Sequence, residues 1–210
     1  MSVNIPTNIK AVIFDFDGTL VESNSIKFTA FEKCFVKFPV HFQAIMRYCR
    51  EHHHIPRSDK FRYVFEEILQ LPYPPEVEKQ FLALFEDETT QNIIAAPEIE
   101  GATAFVKEIS KKYWVAILSS TPHEILLSIL EKRGLSPYIH AVQGAPVRKS
   151  DWLLKLQEEK KWSASEILFF GDTGSDCEAA KKSGVEFIGV GKESRLFCKN
   201  NIADFKELLK

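Results

Sequence analysis

Five short apolar runs alternate with helical patterns along most of this chain, and that alternation limits the fold more than any other feature. The runs are Ile9–Phe14, Trp114–Leu118, Tyr138–Val142, Ile167–Phe170 and Phe187–Val190. The helical patterns are Ile99–Lys111, Pro122–Arg133, Asp151–Glu159, Asp176–Ser183 and Ile202–Leu209. Strands that are apolar on both faces need cover on both faces, and helices between successive strands supply it. The expectation is an α/β fold in three layers around a parallel sheet. "STPHE" reads as a helix start, with Thr121 as N-cap, Pro122 first in the helix and Glu124 completing a capping box. Gly134 reads as the stop of the same helix.

Residues 21–96 break the alternation. They hold no such run, and Phe28, Phe31, Phe35 and Phe38 recur at helical spacing, with breaks at Pro39, "HHHIPRSD" and "LPYPPE". Three or four helices with an aromatic core of Phe28, Phe31, Phe35, Phe61 and Phe65 are expected. The chain thus divides into 1–20 with 97–210 as an α/β core domain and 21–96 as an inserted helical domain. An insert entering directly after the first strand is expected over the carboxyl end of the sheet, where open α/β folds bind ligands. Hinges are expected near Leu20–Glu22 and Ala95–Glu98.

That first strand runs into "DFDGT". Asp15 and Asp17 point the same way in an extended chain, so their like charges need a cation between them or a retained proton. The other strand ends add Ser119 and Ser120 after "VAIL", Lys149 after "HAVQGAPVR", and Asp172 and Asp176 in "GDTGSD". In a parallel sheet these ends converge on one edge. Four carboxylates without His or Cys form a hard oxygen site suited to Mg²⁺, drawn here from Asp15, Asp17, Asp172 and Asp176. Mg²⁺ keeps room for substrate phosphate, which points to phosphoryl chemistry. Asp15 is placed as nucleophile and Asp17 as general acid and base. Ser119 and Lys149 hold the phosphoryl oxygens, and Asp176 orients Lys149 or the metal's waters. Gly18, Thr19 and Ser120 adjoin these groups on the substrate's side. Singly, each motif has a plainer reading: an Asx-type turn at "DFDG", a helix cap at Ser119–Ser120, or a solvated lysine at 149.

In this order, "DFDGT", "LSS", a lysine and "GDTGSD" resemble the haloacid dehalogenase-like superfamily of phosphatases, over essentially the whole chain. The resemblance implies a Rossmann-like core with a helical cap inserted after the first motif, and an aspartyl-phosphate intermediate. It also implies Mg²⁺ held by the Asp15 carboxylate, the Asp17 main-chain carbonyl and Asp172. Dehalogenases of the family lack an acid at the position of Asp17, so a phosphomonoesterase acting on a small phosphorylated metabolite is expected, a sugar phosphate or a phosphoglycolate-like compound. A phosphomutase of the beta-phosphoglucomutase type is the alternative, and a phospho-acceptor domain or silent binding protein is further off. "IPRSDKFRYVFEEIL" resembles the cap stretch in which an arginine meets a second anionic group of the substrate. The matching residue is Arg57, with Lys60 one turn on; exposed surface charges behind a Ser58 cap are the other reading. Family phosphonate hydrolases use a cap lysine as a Schiff base, which leaves Lys27 and Lys60 as candidates for that role.

Composition excludes rather than selects. A net charge of −2 gives no pull toward nucleic acid or acidic membranes. "MSVNIPTNIK" carries no apolar leader core, so a cytoplasmic protein, monomeric or weakly dimeric, is expected. Cys34, Cys49, Cys177 and Cys198 lack metal-site spacing and read as free thiols. Neighbours on a helix lie about 100° apart, so His52, His53 and His54 cannot share a metal; a partly solvated helix end suits them, with one open to a substrate contact.

Overall fold

The computed structural model describes residues 5–52 and 55–209. It divides into two compact units, Met1–Glu22 with Ala96–Lys210 and Ser23–Ala95. Among the described residues no helix is long and apolar enough to cross a membrane.

The first unit is built on a sheet of six described strands, all parallel. They are β1 (Ala11–Phe14), β2 (Trp114–Pro122), β3 (Ala141–Ala145), β4 (Ile167–Gly171), β5 (Glu186–Val190) and β6 (Asn201–Ile202), in the spatial order β3-β2-β1-β4-β5-β6. β1 is central because all four of its residues are apolar and fully buried, so both of its edges and both of its faces are covered.

On one face, Ala11, Ile13, Ala116, Leu118, Ile167 and Phe169 pack with Leu153, Leu156 and Ala180 from two helices. Those helices follow β3 and β4. On the other face Phe14 and Phe170 stack at 5.1 Å and meet Phe105 and Phe205. The result is three layers around a parallel sheet.

In the second unit the described helices are α1 (Asn24–Phe35), α2 (Phe42–Glu51), α3 (Arg57–Tyr63) and α4 (Pro75–Ala95). A π-helical turn, Val64–Ile68, prolongs α3, and Gln70 at φ 53 ends it. Phe31, Phe35, Phe61, Phe65 and Phe85 are buried together, with Phe28 packed at the margin. Tilted and edge-on ring pairs, such as Phe31 with Phe85 at 4.6 Å and Phe65 with Phe81 at 4.9 Å, replace the aliphatic packing of the sheet.

The first unit then continues through α5 (Ala102–Ile109), α6 (His123–Lys132), α7 (Lys149–Lys160) and α8 (Gly174–Ser183). Leu153 and Leu156 belong to α7 and Ala180 to α8, whereas Phe105 belongs to α5 on the opposite face.

Three local expectations need correction. β2 runs on to Pro122, so Pro122 rather than Thr121 is the N-cap of α6, and no side chain caps that end. Residues 202–209 are not a helix. Gly189 donates to the Asn200 carbonyl at 2.9 Å, Val190 pairs with Ile202, and Asp204 accepts from Lys206 N–H at 2.9 Å to start a short 3-10 turn, Phe205–Leu208. Tyr138 closes another 3-10 turn, Ser136–Tyr138, ahead of β3.

Where the chain leaves and re-enters the first unit, its two segments lie side by side. Glu22 N–H donates to the Pro97 carbonyl at 3.0 Å, and Ile99 N–H to the Leu20 carbonyl at 3.0 Å.

Candidate active site

The carboxyl edge of the sheet gathers its polar groups from four strands. Past Phe14, Asp15 stays in line with β1 because its N–H donates to the Phe170 carbonyl of β4 at 2.8 Å. The chain then turns at Gly18, whose φ of 79° lies where a side chain is strained, and Gly18 N–H closes the turn on the Val21 carbonyl at 2.8 Å. The turn buries Asp15 and Asp17, at 4% and 7% exposure, together with Thr19. The Thr19 hydroxyl lies 3.3 Å from Oδ2 of Asp15 and 3.3 Å from Oδ1 of Asp172, bridging two carboxylates rather than facing outward.

Lys149 is the first residue of α7, where the helix dipole opposes a cation. Its Nζ nonetheless turns inward and donates to Asp15 Oδ1 and Asp176 Oδ1, both at 2.6 Å, with the side chain 13% exposed. The two carboxylates offset the dipole and the lost hydration.

Asp176 is held by a capping box at the start of α8. Asp176 N–H donates to Thr173 Oγ1 at 3.2 Å, and Oδ2 of Asp176 accepts from Thr173 N–H at 3.2 Å and from the Thr173 hydroxyl. Both Asp176 oxygens therefore have protein donors. Gly171 makes room for this: a Cβ there would lie 2.5 Å from Asp176 Cβ and 2.8 Å from its Cγ.

Asp17 faces β2. Its Oδ2 accepts from the Thr121 hydroxyl at 2.7 Å and lies 3.4 Å from Ser119 Oγ, while Thr121 N–H donates to Ser119 Oγ at 3.1 Å.

Among the described residues, the electrostatics follow from one cation, Lys149, among several acids. Burial pushes the Asp15 carboxyl well above the ordinary carboxylate range; Lys149 pulls it down, and Asp176, Asp172 and Asp17 push it up again. Burial works against the Lys149 charge, but Asp15 and Asp176 outweigh it and hold the ammonium above its ordinary value. The cluster is short of positive charge. Asp15, Asp172 and Asp176 each offer an oxygen, all within 4.8 Å of one another. An all-oxygen donor set with excess negative charge fits a hard divalent cation.

Of the residues singled out in the sequence, Asp15, Asp17, Thr19, Ser119, Lys149, Asp172 and Asp176 meet at this edge, with Gly18 in the turn and Ser120 exposed beside them. Lys149 is not a solvated charge.

Arg57, Lys60 and Lys27 belong to the other unit. Pro56, not Ser58, precedes α3 as its N-cap. Arg57 is 16% exposed, 3.7 Å from Glu86 and 5.4 Å from the Phe85 ring centre. Lys60 is buried with Nζ 4.9 Å from the Phe31 ring centre, and burial lowers its pKa to about 8. Neither is an exposed surface charge. His52 stacks on Tyr48 at 4.4 Å; His53 and His54 lie outside the described residues. All four cysteines are free thiols.

Two contributors escaped the sequence reading, Thr121 and Thr173. The alternation of a strand puts Thr121 on the face of Ser119, and "TGSD" has the capping-box form; those were the available signals.

The sequence profile of the haloacid dehalogenase-like hydrolases matches residues 12–190, which spans every one of these groups. The chain belongs to that family. No curated protein sequence matches it significantly.

Solved structures share the fold at low identity. A predicted phosphoglycolate phosphatase from Haemophilus somnus 129PT superposes with a TM-score of 0.73 at 17% identity, covering 97% of each chain. A protein proposed to be a beta-phosphoglucomutase, from Thermotoga maritima, gives 0.68 at 20% identity over 96% of this chain and 97% of its own. A proposed haloacid dehalogenase-type hydrolase from Bacillus subtilis, solved bound to magnesium, gives 0.66 at 16% identity over 95% of this chain and 96% of its own.

Proposed function

We propose that this haloacid dehalogenase-like hydrolase is a Mg²⁺-dependent phosphomonoesterase acting on a small phosphorylated metabolite. The observation that carries the reading is the pairing of Asp15 with Lys149 in a buried cluster that holds more acids than cations. A carboxylate kept close to a fixed ammonium is a nucleophile, and the same ammonium neutralises charge on a transferring phosphoryl group.

In this reading Oδ of Asp15 attacks phosphorus, and the ester oxygen leaves as the alcohol with a proton from Asp17. Water then attacks the aspartyl phosphate, gives its proton to Asp17, and inorganic phosphate departs as Asp15 is restored. Ser119 and Lys149 hold the phosphoryl oxygens. Asp15, Asp172 and the Asp17 main chain are the proposed metal ligands, and the cation supplies charge neutralisation at the phosphoryl oxygens. Asp176, whose two oxygens already accept from Lys149 and Thr173, is assigned to holding Lys149 rather than the metal. Every residue in this reaction belongs to the first unit.

Support for a phosphatase, and for magnesium, comes from what the similar structures from Haemophilus somnus and Bacillus subtilis are described as. The test is phosphate release from a panel of phosphorylated metabolites, with Mg²⁺ and with chelator, for wild type and Asp15→Asn. Metal-dependent release that Asp15→Asn abolishes is expected; release that survives Asp15→Asn overturns the mechanism. A phosphoryl group returned to a sugar monophosphate instead of water indicates the mutase described for the Thermotoga maritima structure.

A further inference from the structure

Asp17 needs a fixed orientation if it is to give a proton to a leaving oxygen and later take one from water, and the hydroxyls of Ser119 and Thr121 approach it. Ser119 Oγ is the distant one, 3.4 Å from Asp17 Oδ2. Thr121 Oγ1 is the near one, at 2.7 Å on the same oxygen. The geometry points to Thr121 as the positioning residue that holds the Asp17 carboxylate, leaving the Ser119 hydroxyl to the phosphoryl group. The inference rests on the phosphomonoesterase reading above and adds a division of labour along β2.

Three further observations bear on it. A threonine ahead of a helix ordinarily spends its oxygen on the first turn, yet α6 has Pro122 as its N-cap and no side-chain cap. The Thr121 hydroxyl has been drawn off that use and points at Asp17. The backbone is arranged for this, because β2 and β3 change register between Leu118 and Pro122, so that Pro122 pairs with Ala145. Gly144 permits the shift: a Cβ there would lie 2.5 Å from the Thr121 carbonyl oxygen and 2.6 Å from the backbone nitrogen of His123. Finally, Thr121 is buried at 6% exposure, so no bulk water competes for its hydroxyl, and its N–H fixes Ser119 Oγ at 3.1 Å. Thr121 thus sets both neighbours: its hydroxyl anchors one oxygen of Asp17, and its amide anchors Ser119.

A positioning role for the proton donor makes a prediction that a packing role does not. Departure of an alkoxide needs a proton far more than departure of a nitrophenolate, so loss of a well-aimed acid slows alkyl phosphates selectively. The experiment compares wild type, Thr121→Val and Thr121→Ser on an alkyl phosphate monoester and on p-nitrophenyl phosphate, with Mg²⁺, and includes crystals of Thr121→Val. The expected result is a fall in kcat/KM, which reports only the step that expels the leaving group, of roughly 10- to 100-fold on the alkyl ester for Thr121→Val, a fall under about threefold on the aryl ester, and recovery of most of the alkyl value in Thr121→Ser. The crystals should show the Asp17 carboxylate rotated away from its place beside β2. Equal losses of kcat/KM on both esters, or Asp17 unmoved in Thr121→Val, overturn the role of Thr121 and leave the phosphomonoesterase reading standing. Wild type that releases phosphate from neither ester, nor from any of the metabolite panel, removes that reading and this inference with it.

Discussion

The ammonium of Lys149 lies 2.6 Å from Oδ1 of Asp15, across 134 residues of sequence and from the first turn of a helix whose dipole repels it. A buried pair of this kind is costly to break from one side, because the surviving charge is left without water or partner. Lys149→Met should therefore lower the stability of the metal-free protein by about 3 kcal/mol and reduce turnover by at least roughly 100-fold. Chemical denaturation in chelator measures the first and phosphate release the second. A variant as stable as wild type would mean that the pair contributes nothing to the fold.

The same charge imbalance predicts a metal-linked gain in stability. Ionised Asp15 is penalised by burial and by three neighbouring carboxylates, and a divalent cation offsets that penalty. At about 100 times its dissociation constant a bound ion contributes roughly 2.7 kcal/mol, which for a chain of this length raises Tm by about 5–10 °C. Protons compete for Asp15, whose folded pKa is raised, so the gain should shrink as the pH falls through that raised value. Thermal unfolding with Mg²⁺ and with chelator at several pH values tests this, and Asp172→Asn should lose most of the shift. An equal shift in Asp172→Asn would place the ion elsewhere.

Gly171 is the residue on which the Asp176 capping box depends. An alanine methyl would stand 2.5 Å from Asp176 Cβ, inside any tolerable contact, and a buried β4 cannot retreat. Gly171→Ala should cost about 1–3 kcal/mol of stability and, by pushing Asp176 off Lys149, most of the activity. Asp176→Gly in the same background removes the Cβ that is struck and relieves the clash, so the double variant should regain stability without regaining turnover. If the double variant is no more stable than the single one, the clash is not the cause.

How far the sequence could be read depended on whether a residue's partners were local. The strands were legible because Ala11–Phe14 and Ile167–Phe170 are continuous apolar stretches that only a two-sided sheet buries. The motif acids were legible because Asp15 and Asp172 directly follow apolar strands, with Asp17 and Asp176 a few residues behind them. Lys149 was legible as a group at the strand ends, but its depth was not: lysines are ordinarily exposed, and its burial comes from tertiary contacts alone. Thr121 was misread for the opposite reason. A local rule, the N-cap preference, was strong, and a contact 104 residues away overrode it. The segment 202–209 failed in the same manner, since pairing of Ile202 with β5 ended the helical pattern before it could begin.

Lys60 offers a test of the helical unit that does not depend on the chemistry at Asp15. Burial lowers its pKa from 10.5 to about 8, Cys49 acting in the opposite direction and Lys27 adding to the fall. A lysine whose folded pKa is depressed destabilises the fold at neutral pH, where the unfolded chain still holds the proton comfortably. Between about pH 8 and 10.5 the unfolded state binds more protons than the native state, so this group makes stability rise with pH. The full span corresponds to about 3 kcal/mol. The buried thiols oppose it: burial raises Cys34 to about 12 and Cys49 to about 11, so each favours the fold less once its unfolded counterpart ionises. The difference between wild type and Lys60→Met is therefore the quantity to follow. Lys60→Met should be the more stable protein at pH 7, by an amount that shrinks toward zero as the pH approaches 10.5. Urea denaturation at pH 7, 8, 9 and 10 measures it, and curves that stay parallel across that range would show that Lys60 keeps an ordinary pKa in the folded protein.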